Sequence, residues 1–135
     1  EIISFKISNR PTLDIALDPL NEALALVTEH ALYRTTIHSD QGWHYQHNSW
    51  VKALKQHGIF QSMSRKGNCL DNSPMENFFS LLKQEMYHGV EKVSYDTLKE
   101  RIEQYIDYYN HRRIKTKLSG LSPVAYRKQD TQLAA

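Results

Sequence analysis

The sequence predicts an α/β domain, because short β-branched or aromatic runs alternate with longer segments whose apolar residues recur at helical spacing. Turn and cap residues mark most of the boundaries between them. Residues 2 to 7, Ile2-Ile3-Ser4-Phe5-Lys6-Ile7, read as the first strand. Leu13, Leu17, Leu20, Leu24 and Val27 then repeat at helical spacing, so a helix is expected from about 12 or 19 to 30, with Asp18 before Pro19 as N-cap of the shorter version. Tyr33-Arg34-Thr35-Thr36-Ile37-His38 forms the strand 33 to 38, and Ser39-Asp40-Gln41-Gly42 turns the chain. Asn48 and Gly58 bracket a helix over 48 to 57 as cap and stop, and 59 to 63 is the third strand.

Ser73-Pro74-Met75-Glu76 carries a helix-start signature: Ser as cap, Pro at the first helical position and Glu three residues after the cap. Met75, Phe78, Phe79, Leu82 and Met86 continue it as a helix over 74 to 87, with Gly89 as a stop. Leu98, Ile102, Tyr105, Ile106 and Tyr109 stripe a long helix over 95 to 110 and are expected to be core. A last helical turn falls near 123 to 128. Residues 64 to 73, rich in Gly, Asn, Ser and charge, are expected to form a loop.

A chain of 135 residues with 40% hydrophobic content can bury one core but not two full domains. No run of eighteen apolar residues and no signal-peptide pattern occurs, so a cytoplasmic protein with no membrane partner is expected. Cys69 is the sole cysteine, which excludes an internal disulfide and a multi-cysteine zinc site.

The chemistry-bearing pair is Asp40, at the end of a strand, and Glu76, on the first turn of a helix, separated by residues 41 to 75. A capping-box glutamate and a metal-binding carboxylate are both open readings of Glu76, and they can coexist. Spacing alone carries little weight, but longer blocks carry more. His38-Ser39-Asp40-Gln41-Gly42, the run Ser64-Arg65-Lys66-Gly67-Asn68-Cys69-Leu70-Asp71-Asn72-Ser73-Pro74-Met75-Glu76-Asn77-Phe78-Phe79, Leu82-Lys83-Gln84-Glu85, and Tyr109-Asn110-His111-Arg112-Arg113 through Leu121-Ser122-Pro123-Val124-Ala125-Tyr126-Arg127 occur in order. Together they resemble the integrase-type catalytic core of bacterial insertion-sequence transposases, which is similar to retroviral integrases.

The resemblance implies a ribonuclease-H-like fold and an Asp, Asp, Glu triad holding two divalent metals, Mg²⁺ or Mn²⁺. Asp40 would be the second acid and Glu76 the third. The reaction it implies is cleavage at the transposon 3′ end and attack of that 3′-hydroxyl on target DNA. Oxygen ligands suit such hard cations, and a metal pair stabilises both the attacking and the leaving oxygen. In the family the first acid lies two strands before the stretch resembling residues 2 to 7. The expectation is therefore an N-terminally truncated core with about three strands of the mixed sheet flanked by helices, inactive on its own. Residues 1 to 128 would be the partial catalytic core domain and 129 to 135 a C-terminal tail. Glu1 in place of an initiator Met fits a processed piece or a fragmentary reading frame. Asp14 and Asp18, within the helical pattern, are not expected to replace the missing ligand. With two strands removed, an exposed sheet edge would favour association with another copy.

Net charge is only +2, so global basicity does not announce a nucleic-acid binder. Its distribution says more. His111-Arg112-Arg113-Ile114-Lys115-Thr116-Lys117 holds four fixed positive charges and no acid, and Arg112, Arg113 and Lys115 are expected to contact DNA unless the segment is only a solvated loop. Arg65 and Lys66 precede Glu76, and Lys83 follows it by seven residues, on nearly the same helix face. Phosphate contacts at these positions would bind transposon-end or target DNA without reading its sequence. Two other functions stay open. One is a noncatalytic DNA-binding or assembly remnant. The other is a metallohydrolase built on His38, Asp40, His44 and His47, since imidazole and carboxylate both bind zinc.

Overall fold

A computed structural model describes residues 1–30, 35–65, 73–89 and 91–133. The chain divides into two compact units, Ile3–Asn77 and the combination of Glu1–Ile2 with Phe78–Ala135.

In the first unit, α1 (Asp14–His30) buries Ala16, Leu20 and Leu24 at four-residue spacing. These meet Trp50 and Leu54 of α3 (Asn48–Gln56) and Ile59, forming a single apolar cluster. Leu24 and Leu54 are each only 1% exposed. Burying side chains of that size is worth roughly 1.5–3 kcal/mol each, which compensates a sheet that is small. That sheet has two parallel strands, β1 (Thr36–Ser39) and β2 (Phe60–Met63), with Thr36 opposite Phe60 and Ser39 opposite Met63. Parallel strands need a crossover, and here it is supplied by the short α2 (Trp43–Gln46) and α3. Gly58, at φ +65, ends α3: its N–H reaches Lys55 O and the Ile59 N–H reaches Leu54 O. A residue with a Cβ adopts that left-handed conformation at a cost.

The expected α/β arrangement is present, but three sequence expectations in this unit are corrected. Residues 2 to 7 are not a strand, so the described residues carry two strands rather than about three. A strand exists only where a neighbour takes up its N–H and C=O groups. Here the segment is held by other bonds: Ser4 Oγ donates to Pro19 O at 2.7 Å, and the Lys6 ammonium pairs with Asp18. Asp18 is consequently not an N-cap. It lies inside α1, which opens four residues earlier at Asp14 and accommodates Pro19 within its length. The cap of α3 is His47 and not Asn48, because the His47 ring nitrogen accepts the Ser49 N–H at 3.2 Å. The expected strand 33 to 38 is observed over its C-terminal part only, Tyr33 and Arg34 lying outside the described residues.

The second unit is helical. α4 (Ser73–Leu82) starts with Pro74 and Glu76 in its first turn and enters this unit at Phe78. It runs on into a π-helical segment, Lys83–Tyr87, and the long α5 (Tyr95–His111) follows, capped by the Ser94 hydroxyl, which accepts the Thr97 N–H. Phe78 and Leu82 pack with Tyr105, Ile106 and Tyr109, and the Phe78 and Tyr109 rings meet edge to face at 5.0 Å. Of the stripe expected as core, Tyr105, Ile106 and Tyr109 are buried and half-buried Ile102 packs against them, while Leu98 is half-buried and outside this cluster. A short 3₁₀ turn, Thr116–Leu118, leads to α6 (Pro123–Leu133), which continues beyond the expected turn at 123 to 128 and through residues expected as a tail. Asn110, buried on α5, receives Ile2 N–H at Oδ1 (2.8 Å) and donates Nδ2 to Ile2 O (2.9 Å). One side-chain amide thus satisfies the backbone groups that a neighbouring strand would otherwise take.

Candidate active site

Asp40 is the first residue beyond β1, and the carboxyl ends of the two strands are tied together around it. The Ser64 N–H donates to Ser39 O at 2.8 Å, Gln41 Nε2 donates to Ser64 O at 3.0 Å, and Ser39 Oγ donates to Asp40 O at 3.0 Å. The His38 ring bridges the same end, its Nδ1 at 3.0 Å from Ser62 Oγ and its Nε2 at 3.1 Å from Ser64 Oγ. Asp40 itself is exposed, and its Oδ1 accepts the Gly42 N–H at 2.7 Å. This is an Asx turn, the short side chain satisfying the backbone two residues on. A Cβ at Gly42 would stand 2.9 Å from Asp40 Oδ1 and 3.3 Å from the Tyr45 ring. With Gly42 at φ −55, what favours glycine is this close approach and not the backbone angle. Burial, and after it the negative charge of Asp40, holds the Tyr45 hydroxyl above its ordinary pKa.

Glu76 is exposed on the first turn of α4. Among the described residues no side-chain hydrogen bond or ion pair engages its carboxylate, and it belongs with Asp40 to the unit Ile3–Asn77. Both acids follow carboxyl ends of one parallel sheet, Asp40 directly after β1 and Glu76 on the element after β2. That edge is where open α/β sheets place their sites. Most of the expected loop 64 to 73 lies outside the described residues, and with it Lys66, Cys69 and Asp71. Both acids are hard oxygen donors suited to Mg²⁺ or Mn²⁺, but they are a set of two. Among the described residues no group of three or more His, Cys, Asp or Glu could hold a metal ion.

Among the described residues His38, Asp40, His44 and His47 do not come together as such a group. Each histidine is occupied locally: His38 between two serine hydroxyls, His44 Nε2 at 3.4 Å from Pro11 O, and His47 as the cap of α3.

The expected DNA contacts differ in how they are held. Arg113 forms a forked ion pair with Glu85, its Nε within 3.0 Å of both carboxylate oxygens and its NH2 group 2.6 Å from Oε1. Tyr105 OH donates to the other side of the same carboxylate at 2.9 Å. The Arg113 hydrogen bonds, followed by that from Tyr105, hold Glu85 below the ordinary carboxylate range, while burial and then the Glu85 bond push the Tyr105 hydroxyl well up. Lys115 lies over the Tyr109 ring, 4.4 Å from its centroid, and bonds its hydroxyl. Arg112, Lys83 and Arg65 are exposed. The roles of Glu85 and Tyr105 were missed from the sequence. Glu85 closes the run Leu82-Lys83-Gln84-Glu85, but Arg113 is twenty-eight positions further on, and no local pattern announces such a pair.

A parallel two-stranded sheet flanked by helices, with an acid at the end of one strand and another on a following helix, describes a class that comparison with known proteins makes specific. Two models, each described as an integrase core domain, match residues 1–69 and 76–130. A transposase of insertion sequence element IS150 from Escherichia coli is 45% identical over 129 residues, covering 96% of this chain and 45% of that protein. A transposase-like protein of Haemophilus influenzae is 46% identical over 129 residues, covering 96% of this chain and 58% of its own length. A chain of the simian T-cell lymphotropic virus intasome, solved with the PP2A regulatory subunit B56 gamma, superposes with a TM-score of 0.61 at 17% identity, over 80% of this chain and 37% of that one. The chain belongs to the integrase core domain family and has a ribonuclease-H-like α/β fold. It spans about half the length of the curated relatives it matches. No helix among the described residues is long and apolar enough to cross a membrane.

Two outcomes are expected from this geometry. Gly42→Ala should cost about 0.5–1.5 kcal/mol in urea denaturation, because the new methyl group displaces the exposed Asp40 carboxylate and its hydrogen bond. In an Asp40→Ala background the same change should cost only what the Tyr45 ring contributes; equal costs in both backgrounds would refute the contact. The second outcome concerns acid. Because Glu85 has a lowered folded pKa, its ion pair contributes stability above the ordinary carboxylate pKa of about 4.3 and loses it as pH falls through the lower folded value. Glu85→Gln should therefore lower the thermal midpoint at neutral pH, by an amount equivalent to about 1–2 kcal/mol, with the difference closing at acid pH. A pH-independent difference would contradict the assignment.

Proposed function

We propose that this chain supplies the second and third carboxylates, Asp40 and Glu76, of a divalent-metal centre for DNA transposition. The observation that carries this reading is the tethering of Asp40 at the carboxyl end of β1, where Ser64, Gln41 and Gly42 fix backbone and side chain together. Mg²⁺ or Mn²⁺ bound there would stabilise the attacking and leaving oxygens of an in-line phosphoryl displacement. The Gly42 N–H orients one Asp40 oxygen and leaves the other for a cation, while the Glu76 carboxylate faces no competing cation among the described residues. The reaction proposed for the intact protein is 3′-end cleavage and strand transfer on transposon ends and target DNA.

Lys83 and Arg112 are proposed as direct phosphate contacts, with Arg65 and Lys66 flanking the loop before Glu76. Arg113 and Lys115 are proposed to act from fixed positions, through the part of each cation that Glu85 and Tyr109 leave uncovered. The name intasome on the solved neighbour denotes an assembly, and self-association of this chain is proposed on that parallel. A noncatalytic DNA-binding or assembly remnant is the second reading. It is favoured by the lack of a three-ligand metal cluster among the described residues.

Calorimetric Mn²⁺ titration together with an end-cleavage assay separates the two. The first reading expects Mn²⁺ affinity to fall at least about tenfold in Asp40→Asn and in Glu76→Gln, a loss of about 1.4 kcal/mol. With no third acid grouped with these two among the described residues, the 135-residue chain alone should not cleave or join DNA, because phosphoryl transfer depends on fixed metal positions. Salt-dependent DNA binding with no Mn²⁺ site would establish the remnant reading instead. Cleavage by the isolated chain that Asp40→Asn leaves intact would overturn the site.

A further inference from the structure

We propose that Trp43 is a stacking platform for a nucleobase whose face is open, at a DNA end or in a single strand. Trp43 is 54% exposed, far from the burial its apolar surface favours. It is nonetheless held firmly. Its ring stacks on His44 at 3.8 Å with a 28° interplanar angle, and His44 is itself anchored at Pro11 O. Beneath them the turn is fastened by Tyr45 N–H to Gly42 O at 3.0 Å, Gln61 Nε2 to Tyr45 O at 2.7 Å, and Gln46 Nε2 to Gln41 O. Tyr45 then packs edge to face on buried Trp50 at 4.9 Å. A large flat aromatic is thereby presented to solvent from a turn fastened at several points.

Its neighbours indicate the partner. Gln41, Gln46, His47, Asn48 and Ser49, its neighbours along the chain, are all exposed and polar, and Trp43 belongs to neither apolar cluster. Protein-docking surfaces gather several apolar anchors, whereas a base needs only one face. Bases inside a duplex have both faces covered, so the ligand chemistry is a terminal or unpaired base. Trp43 also lies three residues from Asp40, hence within about 11 Å along the chain. A base stacked there would belong to a nucleotide within reach of the phosphodiester handled at Asp40. The proposal rests on the DNA-processing reading above, but stacking requires no metal, so the two fail separately.

The test uses the 135-residue chain in metal-free buffer with two probes, an oligothymidylate and a relaxed, covalently closed duplex circle that offers no open base face. Oligothymidylate should quench tryptophan fluorescence, since Trp50 is 5% exposed and Trp43 is the accessible fluorophore. Trp43→Ala should weaken oligothymidylate binding about tenfold while leaving the closed circle unaffected, and Trp43→Phe should restore most of the loss. An exposed side chain can be removed without loss of the fold, which a thermal melt verifies. Unchanged oligothymidylate affinity in Trp43→Ala, or an equal loss for both probes, would overturn the platform. Failure of the wild-type chain to bind either DNA would overturn both this proposal and the DNA-processing reading. Loss of the Mn²⁺ site with quenching intact would overturn only the metal centre.

Discussion

The candidate site depends on one constraint, the parallel pairing of two four-residue strands closed at the carboxyl end by the Ser64 N–H to Ser39 O bond. A sheet of two short strands has little stability of its own. Here it is carried by the apolar cluster of α1 and α3, in which Leu20, Leu24, Trp50 and Leu54 are buried. His38 and Gln41 then fasten the strand ends by side chain, so that Asp40 emerges from a fixed edge and not from a free loop. Gly42 completes the arrangement by admitting the carboxylate to its own backbone N–H. The bonds at Ser39 O and at the His38 and Gln41 side chains all reach residues more than twenty positions away in or just after β2, which is why the site inherits its precision from strand pairing.

The helical unit resolves a different problem, that of keeping positive charge at a surface without scattering it. Glu85 neutralises part of Arg113, and Tyr105 buttresses the acid from the other side. The π-helical stretch Lys83–Tyr87 contains that glutamate, and such widened turns are frequent at functional sites. Lys115 rests on the face of Tyr109, whose ring is also part of the core. The cations are thus bound to the same aromatic layer that stabilises the unit.

Much of this was legible in the sequence, and the failures have physical causes. Helices with a strong apolar stripe, such as the one carrying Tyr105, Ile106 and Tyr109, announce themselves, as do stops such as Gly58. The family was legible because several blocks occur in order. Residues 2 to 7 failed as a strand because periodicity reports which side chains are apolar, and not whether a partner backbone is present. Pro19 pointed to a helix start at Asp18, yet α1 tolerates it internally, with the Pro19 carbonyl taken by Ser4. At the site, Asp40 and Glu76 were visible as residue types. The Glu85 and Arg113 pair and the His38 bridge were not, since both join residues more than twenty positions apart.

The central claim is that Asp40 and Glu76 converge on one cation. The measurement that tests it most directly is a crystal structure grown with Mn²⁺, with the ion located by its anomalous scattering. The account expects one Mn²⁺ with an oxygen from each of Asp40 and Glu76 at about 2.0–2.5 Å. An Mn²⁺ bound elsewhere, or the two carboxylates on opposite faces of the sheet, would contradict it.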